Sequence, residues 1–271
     1  MEVVDFAKEI LLGSNLKSKL FDCEKIEFNQ ACLPDFSLEY PERDKKIKLS
    51  DKQMKFPKGH FHIEEKKAQA LNSFANHELL AVEMMAMALI IYPHETEEQR
   101  RFKQGIFKAL KDEQKHFNLY SKRMNDIGYE FGDFPLNDFF WKQMPKLKTP
   151  EQFCAVMSLT FEAANLDFAH FYEKVFRQLG DEKTANILKV VYEDEISHVQ
   201  LGARYMDRWK QDKDLWTYYN ESLPWPLTPA RAKGKLFLEE ARRKAKLDEE
   251  FIQKVKGYKD EFKVTNRRDW K

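Results

Sequence analysis

The stretch LKDEQKHFNLY, residues 110–120, places Glu113 and His116 three residues apart inside a segment with helical periodicity. The stretch YEDEISHVQLG, residues 192–202, repeats this Glu-x-x-His spacing 82 residues later. Residues three and four apart share one face of a helix, so each glutamate lies beside its histidine. Both faces are otherwise apolar, which predicts that these ionisable side chains point into a protein core and need a partner there.

The composition predicts a globular protein with an all-α fold. A chain of 271 residues with 42% hydrophobic and 14% aromatic residues is long enough to bury a large core. The 46 basic and 45 acidic residues give a net charge of +1, which argues against a global attraction to nucleic acid or anionic membrane. Glycines number only nine and helix-forming residues are abundant, which favours helices throughout.

The start of the chain and its apolar runs indicate neither export nor membrane insertion. The first residues, MEVVDFAKEILLGSN, lack the features of a secretory signal, which predicts a cytoplasmic location. The longest apolar run, residues 79–92, contains Glu83 and is shorter than the roughly 20 residues of a membrane span. Cys23, Cys32 and Cys154 form no CxxC pair, which predicts ordinary reduced thiols.

Three breaks divide the middle of the chain, residues 68–209, into four predicted helices. The first break is the short Tyr-Pro-His sequence at residues 92–94, and the last is the Leu-Gly-Asp turn at residues 179–181. The middle connection, residues 128–150, is much longer and rich in aromatic residues. Two helical hairpins joined by one long crossover form a ferritin-like four-helix bundle, and this is the domain we predict.

Both ends of the chain are predicted to form extensions that wrap around this bundle. Residues 1–67 are predicted to form a helix near residues 3–19 and then an extended segment. Residues 210–271 are predicted to form a C-terminal extension with a charged helix from 229 to about 256. Basic and acidic residues alternate in that helix, which indicates a solvated face, with contact to RNA or an anionic substrate as the alternative. The basic residues are Arg231, Lys233, Lys235, Arg242, Arg243, Lys244 and Lys246.

The second, third and fourth helices of the bundle each direct an acid toward the core. Glu113 and His116 share the apolar stripe of the second helix. Glu195 and His198 share that of the fourth, and Glu162 lies on a comparable stripe of the third. With one acid from the first helix, four buried carboxylates would repel one another unless they were protonated or bound to cations. Two Glu residues with two Glu-x-x-His pairs are the ligand pattern of di-iron and di-manganese bundles.

The first helix offers two acids, Glu78 and Glu83, as the remaining ligand. Glu78 lies on the apolar face of the helix, whereas Glu83 lies beside Asn72 and Asn76. Counted from the turn near residue 95, Glu78 is level with Glu113, and Glu83 would be roughly 9 Å off level at 1.5 Å per residue. Helical geometry therefore favours Glu78, with Glu83 as the alternative.

Three further residues of the second and fourth helices are predicted to support the site. Asp112 and Asp194 each precede a ligand glutamate, where a carboxylate can fix the tautomer of a ligand histidine. We predict that Asp112 pairs with His198 and Asp194 with His116, with a solvated or capping role as the alternative. Tyr120 is predicted to fill the core, with a redox-active role as the alternative.

Several segments resemble an uncharacterised family of bacterial ferritin-like proteins, a domain-of-unknown-function group, across about residues 55–245. The segments are FANHELLAVEMMAMALIIYP, LKDEQKHFNLYSKRMNDIGYEFGDFPLNDFFW, LTFEAANLDF and YEDEISHVQLG. The arrangement is more distantly similar to two di-iron enzymes, the tRNA 2-methylthio-isopentenyladenosine hydroxylase and demethoxyubiquinone hydroxylase. In those enzymes the first ligand lies about 30 residues before the first Glu-x-x-His pair, which implies Glu83 rather than Glu78 here.

These observations predict a cytoplasmic di-iron oxidoreductase of the oxidase or hydroxylase type. Iron is favoured, and manganese or a mixed Mn/Fe pair is the alternative because the ligand types do not distinguish them. The expected partners are O2, a small-molecule or nucleoside-like substrate and an electron donor, and the expected state is a monomer or homodimer. The alternatives are a ferroxidase or other iron-handling protein, and a metal-free helical interaction protein.

Overall fold

A computed structural model describes residues 1–23, 25–50 and 55–260 of the chain. Within these residues the fold is an all-α helical bundle, which confirms the predicted fold class. The α-helices are α1 (Val3–Leu12), α2 (Leu16–Lys19), α3 (Glu64–Ile91), α4 (Glu97–Asp126), α5 (Pro150–Val156), α6 (Ala163–Gln178), α7 (Glu182–Trp209), α8 (Leu215–Ser222), α9 (Glu239–Lys244) and α10 (Glu249–Gly257). The other helices are 3₁₀-helices at Trp141–Lys146 and Pro229–Ala232 and a π-helix at Met157–Glu162.

The chain divides into two compact units, and each unit contains parts that are distant in sequence. The first comprises Met1–Pro145 and Phe176–Ile187, and the second comprises Lys146–Val175 and the chain from Leu188 onward. Helices α6 and α7 each contribute residues to both units. The three-part division expected from sequence stays a prediction.

Helices α3 and α4 form the centre of the first unit, joined by the predicted short connection. Thr96 begins α4 with a capping box, because its hydroxyl accepts a hydrogen bond from Gln99 N at 3.2 Å and the Gln99 side chain accepts one from Thr96 N at 3.0 Å. Helix α3 is apolar and long enough to cross a membrane by length and composition alone. However, 83% of its most apolar window is buried within the protein, as expected for a core helix.

The N-terminal helix predicted near residues 3–19 is two helices, α1 and α2. Gly13 separates them where a Cβ would lie 2.1 Å from the Cβ of Ser18. Asn15 then begins α2, since its side chain accepts a hydrogen bond from Ser18 N at 3.0 Å. The extension that follows packs on α3, as the hydrogen bond from Leu33 N to Ile90 O at 2.8 Å shows. The close contact between Gly13 and Ser18 forms only in the folded chain, so hydrophobic periodicity does not predict it.

In the second unit, α5, the π-helix and α6 form one continuous helical stretch from Pro150 to Gln178. Helix α7 packs closely against it at Gly202, where a Cβ would lie 2.3 Å from the Cβ of Ser158. A side chain larger than hydrogen does not fit at this contact.

The prediction of one continuous charged helix from 229 to about 256 is wrong. A 3₁₀-helix and the short helices α9 and α10 occupy this region. Lys246 adopts a positive φ of 65°, which ends α9, and Asp248 begins α10 by accepting a hydrogen bond from Phe251 N at 2.7 Å. The loop between the 3₁₀-helix and α9 is held by Asp167 of α6, which accepts hydrogen bonds from Gly234 N at 2.9 Å and from Leu238 N at 2.8 Å.

Arg242 also departs from the predicted solvated face, because it is 1% exposed. Its guanidinium donates to both oxygens of Asp167 at 2.8 and 3.0 Å. It also donates to the carbonyls of Ala163 and Ala232 at 3.0 and 2.8 Å and lies 3.9 Å from the ring of Phe237. A bidentate, fully hydrogen-bonded pair is the arrangement in which a buried Arg and Asp are tolerated. The C-terminal segment is thereby fixed to α6.

Candidate metal centre

The first unit brings together Glu78 of α3 with Glu113 and His116 of α4. One potential ligand atom from each of these residues lies within 4.8 Å of the others. His116 Nδ1 is 3.4 Å from Glu113 Oε2 and 3.8 Å from Glu78 Oε2. All three side chains are buried, with 5%, 1% and 0% of their residue surfaces exposed. We call this group the first triad.

The electrostatics of the first triad favour a positive charge at its centre. Burial raises the pKa of Glu78 well above its usual value, and the charge of Glu113 raises this pKa further. A side-chain hydrogen bond with His116 acts in the opposite direction and is the smaller effect. Two carboxylates in this environment are costly as a pair of anions, and a bound cation would offset that cost.

The second unit contains a matching group made of Glu162, Glu195 and His198. One potential ligand atom from each lies within 4.8 Å of the others, and His198 Nδ1 is 3.3 Å from Glu195 Oε2. The three residues are buried, and we call them the second triad. Asn165 of α6 donates a hydrogen bond to Glu195 Oε1 at 2.8 Å. Sequence reasoning missed Asn165, although its position three residues after Glu162 on the same helical face was an available signal.

Glu162 is presented by the π-helix, which periodicity analysis did not anticipate. Glu162 is its last residue, and π-helical turns within α-helices are often found at functional sites. The Thr160 hydroxyl bonds to Ala155 O at 2.7 Å and to the Tyr219 hydroxyl at 2.8 Å, so a side chain of α8 supports this wide turn. The sequence signal for this π-helical turn was Thr160, a polar residue within an apolar helix, and that signal is weak.

Glu83, the alternative to Glu78, is buried in a different environment. Its carboxylate accepts hydrogen bonds from Arg43 Nε at 3.0 Å and Arg43 Nη2 at 2.7 Å, and it lies 3.1 Å from Lys19 Nζ. Arg43 also donates to Asn76 Oδ1 at 3.2 Å. Two cations of the N-terminal extension therefore already neutralise Glu83. Sequence reasoning missed both, because they are far from Glu83 in the chain.

The residues predicted to support the site are Asp112, Asp194 and Tyr120, and the structure shows how deeply each is buried. Asp112 and Asp194 are half-buried, and their pairing with His198 and His116 stays a prediction. Tyr120 is 1% exposed, and its ring centre lies 5.5 Å from that of Phe74, as expected for a residue that fills the core.

The donor set of each triad suits a transition-metal ion. Two carboxylates and one imidazole form a mixed oxygen and nitrogen set of the kind that binds iron, manganese or zinc. Among residues 1–23, 25–50 and 55–260, the groups of acidic, histidine or cysteine side chains that could hold a metal ion consist only of members of the two triads. The chain therefore contains buried acidic and histidine groups able to bind metal.

Comparison with known proteins agrees with part of the predicted resemblance. A family model described as a protein of unknown function, DUF455, matches residues 10–253. An uncharacterized protein of Haemophilus influenzae is 26% identical over 152 residues, which cover 54% of this chain and 52% of that protein. The chain thus spans about half the length of this curated relative. No solved structure matches the chain. The predicted family of unknown function is confirmed, and the ferritin-like relationship stays a prediction.

Proposed function

This chain belongs to the DUF455 family, and we propose that it is a ferritin-like dinuclear metal protein that oxidises or hydroxylates an organic substrate with O2. In this proposal the first triad holds one metal ion and the second triad holds the other. We assign iron rather than manganese as the bound metal. An electron donor and a small-molecule or nucleoside-like substrate complete the expected reaction.

The observation that carries the proposal is the presence of two buried Glu-Glu-His triads, one in each unit. Burying a carboxylate without a compensating positive charge costs several kcal/mol or more, and the two triads together bury four carboxylates. A protein with no use for metal would be more stable with apolar residues of similar size at these positions. Bound cations would offset the free-energy cost of burying these acidic residues.

The donor set and its order along the chain support the ferritin-like assignment. Glu78 and Glu162 each come from a helix without a histidine ligand, and the other four ligands come from two Glu-x-x-His pairs. This is the ligand pattern of ferritin-like di-iron and di-manganese bundles. The connections between the four long helical stretches are short, long and short, which is the order of that topology.

The proposed centre assigns roles to the glutamates of the two Glu-x-x-His pairs and to Asn165. A pair of iron ions, when bound, supplies the redox chemistry that O2 requires. Glu113 and Glu195 occupy equivalent places in the repeated motif, and each would supply a carboxylate ligand to the metal ion of its own triad. Asn165 holds one oxygen of Glu195 and so orients its carboxylate. Glu83 is not assigned as a ligand because Lys19 and Arg43 already bind it.

Metal analysis tests the proposal directly. Protein purified from iron-supplemented cells should contain about two metal ions per chain. The variant Glu78→Gln should lose at least half of this metal, because a neutral amide is a poor ligand. Glu64→Gln changes an exposed residue of the same helix and should retain all of it.

Three results would contradict this assignment. A metal content near zero would favour a metal-free interaction protein. A content far above two per chain, with a large assembly in gel filtration, would favour iron handling. Equal metal content in Glu78→Gln and the wild type, with Glu83→Gln depleted, would transfer the ligand role to Glu83.

A further inference from the structure

Tyr219 and Thr160 form a buried hydrogen bond that links α8 to the π-helix carrying Glu162. Their hydroxyl oxygens lie 2.8 Å apart, and both residues are 0% exposed. Thr160 donates its one hydroxyl proton to Ala155 O at 2.7 Å, so the Tyr219 hydroxyl has to donate to Thr160. Burial raises the pKa of Tyr219 above its usual value, which keeps this donor protonated. Two successive hydrogen bonds therefore run from α8 to the backbone of the helix that carries Glu162.

The place of Thr160 in the π-helix determines what these hydrogen bonds control. Ala155 lies five residues before Thr160, which is the spacing of a π-helical hydrogen bond. The contact therefore reinforces the wide turn that ends at Glu162. If this turn became α-helical, it would hold one residue fewer, and Glu162 would have to rotate by roughly 100° relative to α5. That rotation would move its carboxylate away from the other two members of the second triad.

Aromatic packing fixes the ring of Tyr219. The ring centre lies 5.3 Å from that of Phe251 of α10, in an edge-to-face arrangement, and 6.2 Å from that of Trp216 of α8. Aromatic pairs of this geometry favour one ring orientation. The Tyr219 hydroxyl is therefore a fixed point against which the π-helix is held.

A second contact holds the backbone immediately after Glu162. Ala163 is the next residue, and its carbonyl accepts a hydrogen bond from Arg242 Nη2 of α9 at 3.0 Å. Arg242 is itself held by both oxygens of Asp167. Side chains of α8 and α9, neither of which carries a member of the triads, thus hold the helix on both sides of Glu162.

We propose that Tyr219 is a positioning residue that, through Thr160, holds Glu162 in the second triad. Tyr219 supplies no ligand atom, but it sets the affinity of this triad for a metal ion. Residues that orient metal ligands commonly contribute about ten- to hundredfold to metal affinity. The first triad lies on α3 and α4, so its affinity should not depend on Tyr219. This proposal rests on the proposed function, because it requires the second triad to bind a metal ion.

Titration of the metal-free protein with Co2+ tests the proposal. Isothermal calorimetry and the visible absorption of Co2+ report the number of bound ions, their affinity and their coordination. The wild type should bind about two ions per chain. Tyr219→Phe removes one hydroxyl, and it should bind one ion with wild-type affinity and the other about tenfold more weakly, with a changed absorption spectrum. A general loss of stability would not be confined to one ion.

Further variants separate the hydrogen bond from the bulk of the side chains. Thr160→Val should reproduce the effect of Tyr219→Phe, whereas Thr160→Ser keeps a hydroxyl and should bind both ions like the wild type. Combining Tyr219→Phe with Thr160→Val should weaken binding no more than Thr160→Val alone, because both residues act through one hydrogen bond. Tyr218→Phe is the matched control, since it removes a hydroxyl from the neighbouring, half-buried residue of α8 and should leave both affinities unchanged.

Three results would overturn the proposal. Wild-type affinity for both ions in Tyr219→Phe would show that Tyr219 only fills the core. Equal weakening of both ions would show a general effect on stability. Both of these results leave the metal centre itself intact, whereas a wild type that binds no Co2+ would refute the metal centre together with the positioning role.

Discussion

Asp181 holds three helix ends of the first unit together, and replacing it with asparagine should destabilise this unit in a pH-dependent manner. Its carboxylate lies 2.7 Å from Lys67 Nζ of α3 and accepts two hydrogen bonds from Arg123 of α4, both at 3.1 Å. It also accepts hydrogen bonds from the backbone N and the hydroxyl of Thr184 at 3.1 and 2.9 Å. Thr184 lies in the first turn of α7. Asparagine keeps the shape and can keep the backbone cap, but it loses the charge.

The magnitude follows from the pKa of Asp181. Burial alone would raise this pKa, but the hydrogen bonds from Lys67, Thr184 and Arg123 outweigh burial and lower it from 3.8 to about 2. That difference corresponds to roughly 2.5 kcal/mol of stability. Because the folded-state pKa is depressed, this stability is fully present above the unfolded value of 3.8 and is lost as the pH falls through about 2.

Urea denaturation followed by circular dichroism at a series of pH values measures this contribution. At pH 7 the variant Asp181→Asn should have a free energy of unfolding about 2–3 kcal/mol below that of the wild type. The difference should shrink as the pH falls from about 4 toward 2. Asp126→Asn is the matched control, because Asp126 also contacts Arg123 but its side chain is 37% exposed, and it should cost less than about 1 kcal/mol. Equal stability of Asp181→Asn and wild type at pH 7, or a difference independent of pH, would refute this reasoning.

Three further perturbations have defined outcomes. Arg43→Met leaves Glu83 buried with Lys19 as its remaining cation and should lower the free energy of unfolding by about 3–5 kcal/mol in urea denaturation, whereas a loss below about 1 kcal/mol would contradict the ion pair. Gly202→Ala places a Cβ 2.3 Å from that of Ser158 and should cost about 1–3 kcal/mol, seen as a lower Tm in scanning calorimetry; an unchanged Tm would contradict the close packing. Removing metal with a chelator should also lower the Tm, because free metal at a hundredfold above its Kd stabilises the fold by about 2.7 kcal/mol, and identical melting curves would argue against specific binding.

Local spacing alone was enough to predict most members of the two triads. A Glu-x-x-His sequence in a helix brings the two side chains together whatever the tertiary fold, and the contacts of His116 and His198 at 3.4 and 3.3 Å reflect this. Helical geometry also favoured Glu78 over Glu83, and Glu78 is the acid found in the first triad. The more distant resemblance implied Glu83 because it relied on spacing along the chain rather than on helical faces.

The features that sequence reasoning missed depend on contacts between distant parts of the chain. Arg43 and Glu83 are 40 residues apart, and no local pattern marks them as partners. Tyr219 and Thr160 are 59 residues apart, and a π-helical turn differs from an α-helical one by a single residue, which a period of 3.6 does not resolve. The burial of Arg242 was missed for the same reason, since alternating charges in a helix usually indicate a solvated surface.

The ion pair between Asp167 and Arg242 has a consequence for biosynthesis. The ribosome adds the arginine 75 residues after the aspartate. Until then the carboxylate has no guanidinium to compensate its burial, and desolvating it would cost several kcal/mol. This part of α6 therefore stays in contact with water in the nascent chain, and its final packing has to wait until Arg242 has been synthesised.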